Sequence, residues 1–320
     1  MTETQKGVTA IILACMIWGL SGLFYKLLAD VPALLVLAHR TIWGVVFFLI
    51  ILAVWGDLRQ PVESLRSARA FGIMALASGL IAVNWLAFVY AIQTDQALEA
   101  SLGYFIFPLV TILLGLIVFR ETLVPAEWIA IALAFAAVAT LTMGLGVAPW
   151  IALVIGLSFG CYGALKKNLP VGPVVSVTAE SLLLLPLALG WLVYVAGQGD
   201  TVFGGSWGLA VTLFLSGPIT ATPLILFSYG ARKIKLTTVG VLSYLNPSLQ
   251  FLVATLLFLE PFGLWHAIAF GMIWTALALY TAARLRQDKV SQSASSSAGT
   301  SSTTRIKSRS ETSAKSSSMM

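Results

Sequence analysis

Residues 108–121 read PLVTILLGLIVFRE, and residues 247–260 read PSLQFLVATLLFLE. Both segments start at a proline, continue through an apolar run and end at a glutamate, with the same spacing between proline and glutamate. A tyrosine precedes each proline, at Tyr104 and at Tyr244. Two such segments, far apart in one chain, indicate an internal repeat.

The apolar runs within these segments are typical of the whole chain. Of its 320 residues, 58% are hydrophobic and only 10% are charged. Soluble domains carry about 25% charged residues. A chain with so few charges cannot present a wetted surface over most of its length, so we expect lipid to be its main solvent.

Ten stretches are long and apolar enough to cross a bilayer, which takes about 20 residues in a helix. The connections between them are mostly short, so we expect one compact bundle without a separate soluble domain. The predicted fold class is therefore all-α integral membrane, with ten transmembrane helices. The spans are predicted near residues 7–28, 32–55, 70–92, 97–119, 124–143, 148–165, 175–197, 208–230, 236–259 and 262–283.

The repeat divides these helices into two groups of five, at residues 7–143 and 148–284. An odd number of helices per copy means that the second copy enters the membrane from the opposite side. Inverted repeats of this kind let a central site open to one face and then to the other, which favours alternating access. Further matches share one constant offset between the halves: Trp18-Gly19 with Phe159-Gly160, Lys26 with Lys167, and His39 with Glu180.

The positions of the cations predict the orientation, because cytoplasmic loops are enriched in Lys and Arg. With both termini in the cytoplasm of a bacterial inner membrane, the outer loops contain Asp30, Asp95, Asp200 and Glu260. The net charge of +6 then reflects membrane topology, and no nucleic-acid partner is needed to explain it. The inner loops and the C-terminal flank contain Arg59, Arg66, Arg69, Arg120, Lys166, Lys167, Arg232, Lys233, Lys235, Arg284, Arg286 and Lys289.

The two ends of the chain are predicted to lie outside the bundle. Residues 1–6 form a short cytoplasmic N-terminus. Residues 290–320 are rich in Ser and Thr, lack the apolar residues needed to fold, and are expected to be a disordered cytoplasmic tail. Scattered cations leave contact between this tail and anionic membrane lipid open. Cys15 and Cys161 lie in apolar runs and are expected to be inert thiols.

Several short motifs resemble the RarD proteins, a branch of the EamA or drug/metabolite transporter superfamily. The resemblance covers about residues 6–285 and implies a ten-helix permease built from inverted repeats. Phe107 departs from it, because an Asn is expected before Pro108, as Asn246 precedes Pro247 in the second half. The motifs are Ile17-Trp18-Gly19, Tyr25-Lys26, Val31-Pro32-Ala33, Ala38-His39-Arg40, Asn84-Trp85, residues 98–106, Thr178-Ala179-Glu180-Ser181 and Gly217-Pro218.

Charged residues inside the predicted spans are candidates for the transport machinery, since they are costly in lipid and usually functional. We predict that Lys26 and Arg40 bind an anionic or zwitterionic substrate. Glu180 is predicted to exchange protons, because burial brings a carboxyl group closer to titrating near neutral pH. His39 is predicted to bind substrate, and a share in the proton exchange is left open for it. The structural alternative is that Lys26 and Arg40 pair with Asp30, Glu99 or backbone carbonyls and only hold the bundle together.

Polar and aromatic residues near these charges complete the predicted site. Asn84, Tyr104 and Tyr244 are predicted to contact substrate, although interhelical hydrogen bonding or simple packing would use the same residues. Pro108 and Pro247 interrupt helical hydrogen bonding and are candidate hinges.

These features favour a secondary transporter of a small metabolite or drug-like molecule, which we expect to be an exporter. A membrane enzyme is disfavoured, because the sequence has no HExxH motif, no P-loop and few residues for a metal site. No metal and no cofactor are therefore expected. A channel or facilitator, and a receptor or scaffold, remain alternatives without coupled transport, and the sequence leaves homodimerisation open.

Overall fold

The computed structural model describes residues 1–120, 124–146, 148–166, 171–199, 206–234 and 236–283. Over these ranges every regular element is helical. The predictions that concern Glu121, Lys167, Asp200, Lys235 and the cations and tail beyond residue 283 lie outside the described residues.

Twelve helical elements follow one another along the described chain. Their bounds are α1 Glu3–Lys26, α2 Ala33–Trp55, α3 Gln60–Ser64, α4 Ala68–Gln93, α5 Ala97–Phe119, α6 Pro125–Leu145, α7 Trp150–Lys166, α8 Pro173–Gly197, α9 Trp207–Ala231, α10 Leu236–Ser243, α11 Leu245–Leu252, which continues as a π-helical turn over Val253–Leu257, and α12 Leu264–Ala283.

Seven of these helices are long and apolar enough to cross a membrane, namely α1, α2, α4, α6, α8, α9 and α12. Over the residues whose side chains are described, shorter apolar helical stretches cover Ala97–Thr111, which is the first part of α5, and also Trp150–Lys166 and Leu245–Leu257. Nearly all predicted span boundaries agree with the observed helices to within four residues. The five-residue helix α3 was not predicted, because a helix this short leaves no long apolar run in the sequence.

The predicted span over residues 236–259 is not one continuous α-helix. Helix α10 ends at Ser243, and α11 begins at Leu245. Pro247 explains the break, because a proline has no N–H to donate to the carbonyl four residues earlier and its ring crowds that carbonyl. Pro108 has no such effect, since α5 continues through it. The two prolines that match in sequence therefore have different consequences for the backbone.

Glycines allow the helices of the two halves to approach closely. A Cβ atom on Gly19 of α1 would lie 2.7 Å from Leu249 and 3.0 Å from the Asn246 carbonyl oxygen. A Cβ atom on Gly160 of α7 would lie 2.6 Å from Val110, with the Phe107 carbonyl at 3.7 Å. Helix α1 thus packs against α9 and α11, and α7 packs against α4 and α5.

A carboxylate from the loop before α12 fastens the start of α5. Glu260 accepts hydrogen bonds of 2.7 Å from the backbone N–H groups of Ala97 and of Leu98. The first N–H groups of a helix have no partner within the helix, so this carboxylate satisfies two of them and complements the helix dipole. Burial raises the pKa of Glu260, while the two backbone N–H groups lower it by a smaller amount.

Candidate functional site

A central cavity of about 1030 Å³ lies between the helices. Its volume is at the upper end of the range that small-molecule sites occupy, about 300–1,000 Å³. Side chains from both halves of the chain line it, since α1, α2, α4 and α5 contribute from the first half and α7 to α12 from the second. Four predicted substrate-binding residues and both candidate hinge prolines belong to the lining: Arg40, Asn84, Tyr104, Tyr244, Pro108 and Pro247.

Arg40 brings a positive charge to the wall of this cavity. It lies about 11 Å into α2, at about 1.5 Å per residue, and only 7% of its surface is exposed. Its guanidinium carbon is 4.2 Å from the centroid of the Trp85 ring and 5.5 Å from that of Tyr25, within cation–π range. Its Nε and Nη1 atoms are buried and have no hydrogen-bond partner among the described residues.

Asn84 and Tyr104 form a fixed hydrogen-bonded pair beside the cavity. The Tyr104 hydroxyl donates to Asn84 Oδ1 at 3.0 Å. The Asn84 amide nitrogen in turn donates to the Ile155 carbonyl at 3.1 Å and to Ser158 Oγ at 3.3 Å. The pair thus joins α4, α5 and α7, so the interhelical role and the cavity-lining role of these residues coexist.

The broken helix opposite contributes Tyr244, Asn246 and Pro247 to the lining. Ser101 of α5 donates a hydrogen bond to the Pro247 carbonyl at 2.9 Å. Gln250 donates to Asn246 Oδ1 at 3.1 Å. The bond from Ser101 joins the break to the first half of the chain, and the bond from Gln250 orients Asn246 within α11.

Three predicted residues are not among the described lining. Lys26 forms an ion pair with Asp95 at 2.5 Å and reaches the Ile92 carbonyl at 3.4 Å, at the end of α4. The backbone carbonyl is a partner that the structural alternative named, whereas Asp95 is one that it did not. His39 is buried within α2, one residue before Arg40, and is not among the lining residues.

Glu180 belongs to a polar cluster just behind the cavity wall. Its carboxylate accepts hydrogen bonds of 2.9 Å from Tyr162 and from Ser176 and pairs with Lys166 at 3.0 Å. Tyr162 itself lines the cavity and also accepts a hydrogen bond of 2.7 Å from Lys166. Glu180 is only 1% exposed, so Tyr162 connects it to the cavity.

Sequence reasoning missed three functional candidates, Tyr25, Trp85 and Tyr162. Tyr25 and Trp85 flank Arg40, and Tyr162 bridges Glu180 and the cavity. Tyr25 and Trp85 stand in the quoted motifs, yet an aromatic residue in an apolar helix looks the same whether it packs or binds. Only Tyr162 carried a usable signal, since it lies four residues before Lys166 and so on the same helix face.

Comparisons with known proteins identify a family and relatives that the chain is similar to. The model of the EamA-like transporter family matches residues 5–143. The chain is 37% identical over 294 residues to the transporter YojE of Bacillus subtilis (strain 168), covering 91% of this chain and 98% of YojE. It is 40% identical over 273 residues to protein RarD of Streptomyces exfoliatus, covering 84% of this chain and 86% of that protein.

A protein of known crystal structure shares the fold. It superposes with a TM-score of 0.56 at 18% sequence identity, over 87% of this chain and 96% of its own. An identity this low shows the fold alone and carries no information on substrate.

Proposed function

The chain belongs to the RarD branch of the EamA-like transporter family, a group of multi-pass membrane transporters, and on this premise we propose that it is a secondary transporter that exports a small metabolite by alternating access. The observation that carries the proposal is the central cavity of about 1030 Å³, lined by both halves of the chain. A site between two halves can change its exposure when the halves move against each other. The transporter names in the family and among its relatives also point away from an enzyme.

The packing of the helices supports two inverted five-helix repeats and ten membrane crossings. The family model ends at residue 143, where the first predicted repeat ends. The contacts of Gly19 with Asn246 and Leu249 correspond, at the spacing of the repeat, to those of Gly160 with Phe107 and Val110 of α5. Under this proposal the shorter apolar helices α5, α7 and α10–α11 cross the membrane together with the seven long ones.

Contacts at the two ends of the bundle support the proposed orientation. The start of α1 lies beside the loop after α9, because Glu3 pairs with Lys233. The end of α1 lies beside the loop after α4, because Lys26 pairs with Asp95. This arrangement agrees with a topology in which the cationic loops and the N-terminus share the cytoplasmic face.

We assign proton coupling to Glu180 within this proposal. Its carboxylate is buried, yet Tyr162 connects it to the cavity and Lys166, 18% exposed, connects it to the end of α7. A proton on Glu180 would remove its attraction to Lys166 and so loosen the contact between α7 and α8. That coupling would tie the charge of one residue to the movement of two helices.

The experiment that tests the function compares extracellular metabolites of cells that express wild type, Ser243→Trp or Ser243→Ala at equal membrane abundance. Ser243 lines the cavity, so the indole fills space that substrate needs while alanine leaves it open. Export predicts a compound enriched outside with wild type and with the alanine variant, but not with the tryptophan variant. Equal profiles for all three would overturn export, and depletion of an external compound would indicate uptake instead.

A further inference from the structure

Arg40 is a cation that lacks a counter-charge in the described part of the chain. Its guanidinium carbon lies over the rings of Trp85 and Tyr25, neither of which can accept a hydrogen bond as a carboxylate does. Its N–H donors point outward in the plane of the group, and two of the nitrogens have no acceptor among the described residues. A buried charge without a partner is strongly unfavourable, so the arrangement suggests that a ligand supplies the acceptors.

The charge balance of the cavity restricts that ligand to a single negative charge. Arg40 is the one charged side chain among the described residues that line the cavity. One guanidinium matches one carboxylate with two parallel hydrogen bonds, whereas a phosphate dianion would leave a negative charge unbalanced. The described lining also contains no Asp or Glu, so the ammonium group of a zwitterion would have no anionic partner there.

The walls around Arg40 restrict the rest of the ligand. Aromatic rings form much of the lining, among them Trp18, Tyr25, Trp85, Phe88, Phe107 and Phe159. Several of these rings are in edge contact, such as Phe107 with Phe159 at 5.0 Å between centroids. Rings arranged in this way offer both faces and edges to a flat apolar group, because aromatic pairs favour offset and edge-to-face contact.

From these three observations we propose that the cavity binds a small aromatic monocarboxylate, with Arg40 as the residue that binds the carboxylate. The proposal rests on the proposed function, because it names the substrate class of the same site. It narrows the sequence-based prediction in two ways: Lys26 is engaged with Asp95 and takes no part, and a zwitterion is disfavoured.

The test measures binding of four probes to the purified full-length protein by isothermal titration calorimetry. Indole-3-acetate carries the proposed features, indole-3-acetamide removes the charge, tryptophan adds an ammonium group, and octanoate replaces the ring with a chain. We expect indole-3-acetate to bind at least about tenfold more tightly than each of the others, as a charge-assisted hydrogen-bonded pair would provide. In Arg40→Gln the preference for acid over amide should disappear.

Two further variants keep the test decisive. Arg40→Lys retains the charge but not the planar pair of donors, so it should fold and show a reduced preference. Arg66→Gln removes an exposed cation whose pair with Glu63 is at the surface, and it should keep the full preference. Equal binding of acid and amide by wild type, a preference that survives in Arg40→Gln, or no binding of the acid would each overturn the proposal. If octanoate bound as tightly as indole-3-acetate, the proposal that the ligand is aromatic would be rejected. If tryptophan bound as tightly, the exclusion of zwitterions would be rejected.

The outcome separates this inference from the proposed function. Selective binding of the acid without any movement of solute across a membrane would retain the Arg40 site and reject transport. Transport of another solute, with no preference between acid and amide, would retain transport and reject the Arg40 assignment.

Discussion

The guanidinium carbon of Arg40 lies 4.2 Å from the centroid of the Trp85 ring, which joins a charge on α2 to an aromatic side chain on α4. The indole ring stabilises the cation, while Nε and Nη1 of Arg40 have no hydrogen-bond acceptor among the described residues. Only 7% of Arg40 is exposed, and Arg40 belongs to the lining of the cavity. This pairing places an oriented positive charge beside a wide apolar cavity.

Replacing Trp85 with leucine should weaken binding of indole-3-acetate by about 2- to 30-fold, the range of a cation–π contact of about 0.5–2 kcal/mol. The reason is twofold, since Arg40 loses the ring that orients it and the cavity loses an aromatic wall. Trp85→Phe should show a smaller loss. Trp128→Leu changes a ring that is 52% exposed and should bind indole-3-acetate as wild type does. Calorimetry measures binding to all three variants. Equal binding by all of them would refute the role of the Arg40–Trp85 contact.

Replacing Glu180 with glutamine should abolish accumulation driven by a pH gradient and leave exchange of solute across the membrane intact. The neutral side chain cannot release a proton, whereas the cavity itself is unchanged. The measurement is uptake of labelled indole-3-acetate into proteoliposomes with and without an imposed pH gradient. The exposed carboxylate Glu63 offers a control, because Glu63→Gln should retain the response to the gradient.

Glu180→Gln also leaves Lys166 without its carboxylate partner. Breaking a buried ion pair typically lowers the free energy of unfolding by about 3–5 kcal/mol. A double variant, Glu180→Gln with Lys166→Met, removes both charges and should restore thermal stability without restoring the response to the pH gradient. A gradient response in either Glu180 variant would show that the coupling group is another residue.

Replacing Gly19 with alanine should destabilise the bundle by about 1–3 kcal/mol, as overpacking does. The added Cβ would lie 2.7 Å from Leu249, so α1 and α11 would have to separate. Gly163→Ala is the matched control, because nothing lies within 4 Å of a Cβ at that position. Thermal unfolding in detergent measures both, and an unchanged Tm for Gly19→Ala would mean that the close approach of the halves is unimportant.

Replacing Glu260 with alanine should destabilise the protein by about 1–3 kcal/mol, since two N–H groups at the start of α5 lose their acceptor. Asp30→Ala, at an exposed carboxylate, is the control for loss of negative charge at a loop. If both variants unfolded at the wild-type temperature, the hydrogen bonds between Glu260 and the start of α5 would not contribute to the stability of the protein.

The stability difference between wild type and Glu260→Ala should also depend on pH. Burial raises the pKa of Glu260 above its ordinary value of 4.5, so the folded protein holds this proton more tightly than the unfolded chain does. Wild type should therefore gain stability relative to the variant as the pH falls from the raised pKa toward 4.5. A difference that shrinks over this interval would contradict the direction of the shift.

Much of the fold was predictable from sequence, because the apolar length of a membrane helix is a local property. Helix α5 spans Ala97–Phe119, as predicted, and the prolines at 108 and 247 marked the segments that repeat. What those prolines do was not predictable, since the backbone breaks only at the second one. Local sequence does not record how far the surrounding helices tolerate the missing hydrogen bond.

The site was predictable only in part, because its function depends on partners far apart in the chain. Lys26 and Arg40 look equivalent as cations in apolar helices, yet Lys26 meets Asp95 and Arg40 meets Trp85. The separation of the first pair along the chain is 69 residues, and no periodicity links residues at that distance. Three-dimensional contacts therefore decide which cation remains available to a ligand.

The measurement that tests the central claim most directly is counterflow in proteoliposomes that contain the wild-type protein. Vesicles are loaded with a high concentration of unlabelled indole-3-acetate and diluted into a trace of the labelled compound. A single central site that is exposed alternately to the two faces predicts transient accumulation of label above its equilibrium level, absent in protein-free vesicles and in Ser243→Trp. Label that only equilibrates, with no overshoot, would contradict alternating access and indicate a channel instead.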